Sequence, residues 1–217
     1  MTEDNQLYRE NPSPFDPSEP VWVIGKNESI LSYPDGFFEG KQTLGLNHAS
    51  VIHNTTVASW IENMKDHYGT WKGDLVLMPY DPCYDKNHPR EEGVLSPRHT
   101  MPWDHSPKAW EPAEFVKNAA KTRDPELRYS AWWSGCMHLA FWFLMENECR
   151  DVRLAGCNSS NNPMPGFEDQ YSSPEKPWEQ LWPDARRNTD FIIVEAAKYG
   201  FRIKLYEDYE DCCADTN

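Results

Sequence analysis

The chain lacks a long apolar run, an excess of positive charge and any paired-cysteine spacing. Its longest apolar stretch, Ala131–Met145, is interrupted by Ser134, Gly135 and His138. It stops short of the roughly 20 apolar residues that a membrane-spanning helix needs. Lys and Arg number 21 against 35 Asp and Glu, for a net charge of −14. Such a surface repels the phosphates of nucleic acid and of anionic membranes, so neither a nucleic-acid partner nor a membrane span is expected. A small nucleotide is still allowed, because one local cation and a helix terminus suffice to hold a phosphate. The cysteines, at 83, 136, 149, 157, 212 and 213, form neither a disulfide framework nor a C-x-x-C zinc pair. The first residues, Met1-Thr2-Glu3-Asp4-Asn5-Gln6, are acidic and polar, unlike a secretory leader. A cytoplasmic location is the expectation. No His follows His138, which removes the commonest proton carrier from the last third of the chain.

What is present fits one domain. A length of 217 residues suits a single core. An aromatic share of 13%, with 10 Trp, implies that much of this core is aromatic. Val21-Trp22-Val23-Ile24 is a short run of apolar, mostly β-branched residues, ended by Gly25. It reads as a buried strand. Asn27 and Ser29 follow where a helical turn could start. In an open α/β sheet, ligands lie beyond the carboxyl ends of the strands, where the strand order reverses. The loop Gly25–Ser29 is therefore the expected floor of a binding site.

The remaining elements follow in order. Residues 1–20, with Pro12, Pro14, Pro17 and Pro20, read as an irregular lead-in. Gln42–Leu46 reads as a second strand ending at Asn47. Thr55–Tyr68 reads as a helix, from the spacing of Val57, Trp60, Ile61, Met64 and Tyr68. Asp74–Met78 is a third strand. Residues 79–128 lose periodicity and read as an insertion or lid. Ser130–Glu148 reads as a buried helix, Asp151–Asn158 as a strand, residues 159–182 as a second insertion, Pro183–Tyr199 as a helix and Phe201–Tyr206 as a last strand. Residues 207–217 form an acidic tail, expected to fray. Alternating strands and helices imply a mostly parallel sheet with helices on both faces.

The order of short motifs resembles a known group. The motifs are Val23-Ile24-Gly25-Lys26-Asn27-Glu28-Ser29, a strand closing Gly45-Leu46-Asn47, Ser134-Gly135 opening a buried helix, and a strand closing Leu154-Ala155-Gly156-Cys157-Asn158. This order is similar to that of Rossmann-like bacterial sialyltransferases that use CMP-sialic acid, motility-accessory glycosyltransferases and archaeal-type pterin pyrophosphokinases. The resemblance spans residues 21–206, apart from the two insertions. It implies a Rossmann-like α/β fold with 21–206 as a single domain. It also implies a nucleotide or nucleotide-sugar ligand and a sialyltransferase-like transfer of a sugar to a hydroxyl acceptor. The implied binding residues are Gly25, Lys26, Asn27, Ser29, Asn47, Ser134, Gly135 and Asn158.

This chain departs from the group's pattern in three places. Asn27 and Glu28 stand where the group has Gly and Pro. Asn158 stands where it has Asp, which loses a charge and weakens any metal role. The group's lid histidine has no counterpart, which leaves Glu168, Asp169 and Tyr171 as catalytic candidates.

Each residue also has a plainer reading. Gly25 and Ser29 suit a tight turn and cap, Asn47 an ordinary turn, Lys26 a solvated charge, Gly135 close helix packing, and His138 a core histidine. Asp81, Cys83, Asp85 and His88 read as a polar loop, since they match no metal spacing. No resident metal or cofactor is expected. Mg²⁺ enters only under the pyrophosphokinase alternative. A further alternative is a Rossmann-like binding or structural module without turnover, which a closed, dry pocket over Gly25 filled by Trp or Phe side chains would favour.

Overall fold

The computed structural model describes residues 13–47, 49–59, 73–77, 94–95, 136–158, 189–190 and 192–215. Within these residues the chain builds one seven-stranded sheet. Its strands are β1 (Val21–Ile24), β2 (Gln42–Leu46), β3 (Thr55–Ser59), β4 (Gly73–Leu77), β5 (Val94–Leu95), β6 (Asp151–Ala155) and β7 (Arg202–Leu205). They lie in the order β5-β4-β3-β2-β1-β6-β7. Every neighbouring pair is parallel. The α/β expectation of a mostly parallel sheet is met.

β1 is an interior strand, with four strands on one side and two on the other. Val21 stands opposite Gln42 of β2 on one side and opposite Val152 of β6 on the other. A strand paired on both edges and covered on both faces has no polar surface to present, so its sequence is an unbroken apolar run. Val21, Val23 and Ile24 are fully buried, each worth roughly 1.5–3 kcal/mol of hydrophobic stabilisation.

Alternation along β1 divides the core in two. Val21 and Val23 join the first cluster, with Leu44, Leu154, Phe141 and Leu144. There the helix Cys136–Glu146 crosses β2 and β3. Helical residues 192–197 add Ile192 and Ala196 to the same side. Trp22 and Ile24 join the second cluster, with Ile30, Tyr33, Ala49, Tyr206 and Cys212. Trp22 stacks on Tyr206 at 5.7 Å and meets Tyr33, Phe37 and Phe38 edge-on. Among the described residues, Trp22, Tyr33, Phe37, Phe38, Tyr206 and Tyr209 make this face aromatic.

Val94–Leu95, inside the stretch 79–128 read as an insertion or lid, is β5, an edge strand paired with β4. Two further expectations are corrected. Thr55–Ser59 is a strand, not the start of a helix. Thr55-Thr56-Val57 places β-branched residues consecutively, which favours extended backbone. Thr43 and Thr56 also exchange hydrogen bonds, each backbone N–H donating to the other's Oγ1 at 3.1 and 3.0 Å. The spacing of Val57 and Trp60 is compatible with a helix, but the pairing partner β2 decides the outcome. Residues 60–72 lie outside the described residues. The second correction concerns the acidic tail. Tyr209–Ala214 is helical, with Cys212 buried against the sheet, rather than frayed. Residues 13–20 are irregular yet anchored, because Phe15 is buried and meets Phe143 edge-on at 6.3 Å.

The order places β2 to β5 on one side of β1 and β6 and β7 on the other. The connection after β1 runs over the second face, through Ile30 and Tyr33. The helical residues between β6 and β7 lie on the first face, through Ile192 and Ala196. The crevice between diverging connections therefore opens at the carboxyl ends of β1 and β6.

Candidate functional site

The ends of β1 and β6 meet at two glycines. The Gly25 N–H donates to the Ala155 carbonyl at 2.8 Å, and the Asn27 N–H donates to the Gly156 carbonyl at 2.9 Å. The ladder thus continues past both strands. A Cβ on Gly25 would lie 2.2 Å from the Gly156 oxygen and 2.8 Å from Cys157 Sγ. Gly156 has φ +64, and a Cβ there would lie 2.9 Å from Ile30 Cβ. Only glycine allows the two backbones to approach so closely. The space beside Gly25 is filled by the chain's own Gly156 and Cys157.

The loop then caps itself. Asn27 is the N-cap of a short 3-10 turn, Glu28–Ser32, with φ −69 and ψ 150. Its Oδ1 accepts from the Ser29 N–H at 3.1 Å, and its carbonyl accepts from the Ile30 N–H at 3.0 Å. Asn therefore takes a position where a phosphate-cradling loop would keep bare glycine. The N–H groups of Gly25, Asn27, Ser29 and Ile30 are all committed within the chain. Glu28 is exposed.

The side chains do what those amides do not. Ser29 Oγ donates to Asn158 Oδ1 at 3.2 Å. Asn158 Nδ2 donates to the Glu207 carboxylate at 3.1 Å and to the Glu207 carbonyl at 3.3 Å. One network thereby links the loop after β1 to the carboxyl ends of β6 and β7. Asn158 is buried, Ser29 is half-buried and Glu207 is exposed. The network runs from the core to solvent. It also explains why residue 158 is Asn. An ionised Asp would accept from Ser29 but would have no hydrogen to give Glu207 and would repel it.

Glu207 was not among the residues singled out in the sequence. Its signal is weak, a carboxylate one residue beyond a strand in a tail expected to fray. The structure holds it in place. The Glu207 N–H donates to Asp211 Oδ2 at 3.2 Å, and Asp208 caps the tail helix by accepting from the Asp211 N–H at 2.9 Å. That helix is tied to the 3-10 turn, where the Tyr209 N–H donates to Ser32 Oγ at 2.9 Å and the Tyr33 hydroxyl donates to the Asp208 carbonyl at 3.3 Å. Ser29 and Glu207 stand on one joined platform.

Asn47 ends β2, the strand next to β1, on the same edge of the sheet. Its φ of 49 lies in the left-handed region, which Asn tolerates better than most residues. Its N–H donates to the Ser59 carbonyl at 2.8 Å, and its carbonyl accepts from the Ser50 N–H and Oγ at 3.0 and 2.5 Å. The side chain is half-buried. Lys26 is also half-buried, within the β1 loop.

Cys157 adds no reactive thiolate. Burial pushes its thiol up to about 12, and its Sγ sits 3.5 Å from the Val23 carbonyl and 3.4 Å from the Ala155 carbonyl. Among the described residues, no group of three or more His, Cys, Asp or Glu could hold a metal ion, and no helix is long and apolar enough to cross a membrane.

The structure thus brings Gly25, Lys26, Asn27, Ser29 and Asn158 together, with Asn47 one strand away. Ser134, Gly135, Glu168, Asp169 and Tyr171 lie outside the described residues, as do Asp81, Cys83, Asp85 and His88.

No family model matches the chain, and no curated protein matches it in sequence. Among solved structures, it is similar to the sialyltransferase CstII from Campylobacter jejuni, determined with the substrate analogue CMP-3FNeuAc. The identity is 9% and the TM-score 0.46, over 87% of this chain and 80% of that one. No residue's role is carried over from it.

Proposed function

We propose that this protein binds a nucleotide-sugar over the carboxyl ends of β2, β1 and β6 and transfers its glycosyl group to a hydroxyl acceptor. The observation that carries this reading is the divided strand order. Ile30 and Tyr33, after β1, lie on one face, and Ile192 and Ala196, between β6 and β7, lie on the other, and the Ser29–Asn158 hydrogen bond joins the carboxyl ends of β1 and β6. Open α/β sheets bind their ligands at such a point. In this reading Asn47 reads the base or ribose with a side chain that both donates and accepts. Gly25 and Asn27 shape the floor. Lys26 and Ser134-Gly135 meet the phosphate, because the N–H groups of Gly25, Asn27, Ser29 and Ile30 and the Ser29 hydroxyl are already committed. Catalysis is direct displacement at the anomeric carbon, with a base on the acceptor and hydrogen-bond donors on the leaving phosphate. Glu168, Asp169 and Tyr171 belong to the stretch from which further catalytic groups would come.

A second reading is favoured by one observation. The contact between Gly25 and Gly156, with the self-capped loop, is what a Rossmann-like module kept for binding or structure would show. The two readings differ in ligand response. A thermal-shift screen with CMP, UMP, GMP, AMP and their sugar conjugates, with and without Mg²⁺, separates them, since a ligand bound to the folded state raises its melting temperature. A selective shift with one nucleotide class is the expected result. No shift at millimolar concentration leaves the module reading.

A further inference from the structure

We infer that the carboxyl ends of β6 and β7 form the acceptor half of the site, with the Glu207 carboxylate binding the acceptor hydroxyl and removing its proton. This rests on the glycosyl-transfer reading and adds to it a place and a base.

The crevice has two unlike sides. On the β2 side stand Asn47 and, in the β1 loop, Lys26. On the β7 side the chain presents Glu207, Asp208, Glu210, Asp211 and Asp215 within nine residues. Phosphate is repelled by such a flank, whereas a neutral acceptor rich in hydroxyls is not. The four strands β2, β1, β6 and β7 are consecutive in the sheet, so the two sides are three inter-strand steps apart, roughly 14 Å. The nucleotide then belongs over β2 and β1, and the acceptor over β6 and β7.

Within the network only one side chain can take a proton. Ser29, Asn27 and Asn158 are not bases near neutral pH, and the Cys157 thiol keeps its proton up to about 12. Glu207 is exposed, so an incoming hydroxyl can reach it, and Asn158 Nδ2 fixes one carboxylate oxygen at 3.1 Å. Asn158 is a positioning residue, since it acts through Glu207. The step balances within the complex. The acceptor proton passes to Glu207, and the acceptor oxygen bonds to the anomeric carbon. The bond from that carbon to the phosphate oxygen breaks, and the nucleotide leaves with the electron pair. Glu207 then returns its proton to solvent.

The test uses the full chain with CMP-N-acetylneuraminate, UDP-glucose and GDP-mannose as donors, and water or methyl glycosides as acceptors. Nucleotide release is measured beside the thermal shift with the free nucleotide. The expected result is that Glu207→Gln lowers kcat by about 10²–10⁴-fold while the nucleotide shift is retained. Glu19→Gln, the same charge change on an exposed residue just ahead of β1, at the opposite edge of the sheet, is expected to leave both unchanged. Where Glu207→Gln does not fold, Glu207→Asp replaces it, with a loss of tenfold or more expected because the carboxylate is drawn back by one methylene. Undiminished turnover in the Glu207 variant overturns the inference and leaves glycosyl transfer standing. Loss of the nucleotide shift together with turnover overturns the placement of the acceptor. No turnover by the unmodified chain removes the transfer reading and the role of Glu207 with it.

Discussion

Ser29 and Asn158, 129 positions apart in the chain, are joined by a 3.2 Å hydrogen bond from Ser29 Oγ to Asn158 Oδ1. Asn158 also donates to Glu207, so its amide is used from both ends. Truncation by Asn158→Ala removes the bonds to both the half-buried Ser29 and the exposed Glu207, at a cost of about 1 kcal/mol. Asn158→Asp is the sharper test. The introduced carboxylate faces Glu207 at hydrogen-bond range, so in the folded state its proton is retained to higher pH than in the unfolded chain. A group whose folded pKa is raised loses stability as pH rises through the carboxylate range. Melting temperatures of Asn158→Asp and the parent should therefore nearly coincide near pH 4 and separate by neutral pH. Equal melting at pH 7 would mean that residue 158 and Glu207 are not in contact.

Gly25→Ala should be among the most damaging single substitutions in the chain. The added methyl meets the Gly156 carbonyl at 2.2 Å, where neither partner is a flexible side chain. Separating β1 from β6 disturbs two interior strands of the sheet. A loss of about 3 kcal/mol or more is expected. Gly156→Ala adds left-handed strain, about 1–2 kcal/mol, to its contact with Ile30. Denaturant unfolding of both variants measures this. Parental midpoints would mean that the glycines are not in contact as described.

Much of this architecture was legible in the residues. β1 announces itself because a strand buried on both faces is apolar without interruption. Gly25, Ser29 and Asn158 could be aligned because strand ends in an open α/β sheet gather on one edge. What could not be read depends on partners distant in sequence. Thr55–Ser59 becomes a strand because β2 and β4 flank it, and apolar spacing over so few residues does not separate strand from helix. The tail looks like a solvated acidic end until Cys212 and the Trp22–Tyr206 stack give it a surface to cover. Glu207 gains meaning only through Asn158, 49 positions before it.

The buried thiols predict an alkaline limb. Burial pushes Cys149 and Cys157 up to about 12 from an ordinary 9.0. Above pH 9 the unfolded chain releases these protons while the folded chain keeps them, so the folded state binds more. Stability is full below about pH 9 and falls between there and pH 12, by about 1.4 kcal/mol per unit per thiol. Melting between pH 8.5 and 10 should drop more steeply in the parent than in Cys149→Ala/Cys157→Ala, whatever the starting stability of the variant. Parallel slopes would show that the thiols are not buried.

The tail helix is fastened by Tyr206, whose hydroxyl donates to Asp215 Oδ2 at 2.8 Å, and by Lys204, whose Nζ lies 2.5 Å from Asp215 Oδ1. Lys204 and Tyr206 together hold the Asp215 carboxyl below its ordinary range. For a group lowered in this way, its contribution is present above the ordinary carboxylate pKa and is lost as pH falls through the folded value. Tyr206→Phe keeps the stack on Trp22 and removes only the hydroxyl, so it should cost about 1 kcal/mol. Hydrogen exchange should show faster opening of residues 209–214 in that variant, with the amides of β1 unchanged. Uniform acceleration across the sheet would instead place Tyr206 in the global fold rather than in the fastening of the tail.

Asn47 offers the cleanest separation of backbone from side chain. Its left-handed φ of 49 means that Asn47→Ala changes two things at once, removing the amide and straining the backbone by about 1–2 kcal/mol. Asn47→Gly removes the amide alone, because glycine adopts that conformation freely. If the Asn47 amide reads the base or ribose, both variants should lose most of the nucleotide-induced thermal shift, while only Asn47→Ala melts appreciably lower without ligand. A shift preserved in Asn47→Gly and lost in Asn47→Ala would make residue 47 a turn and nothing more. The nucleotide would then have to find its specificity elsewhere along the carboxyl edge of the sheet.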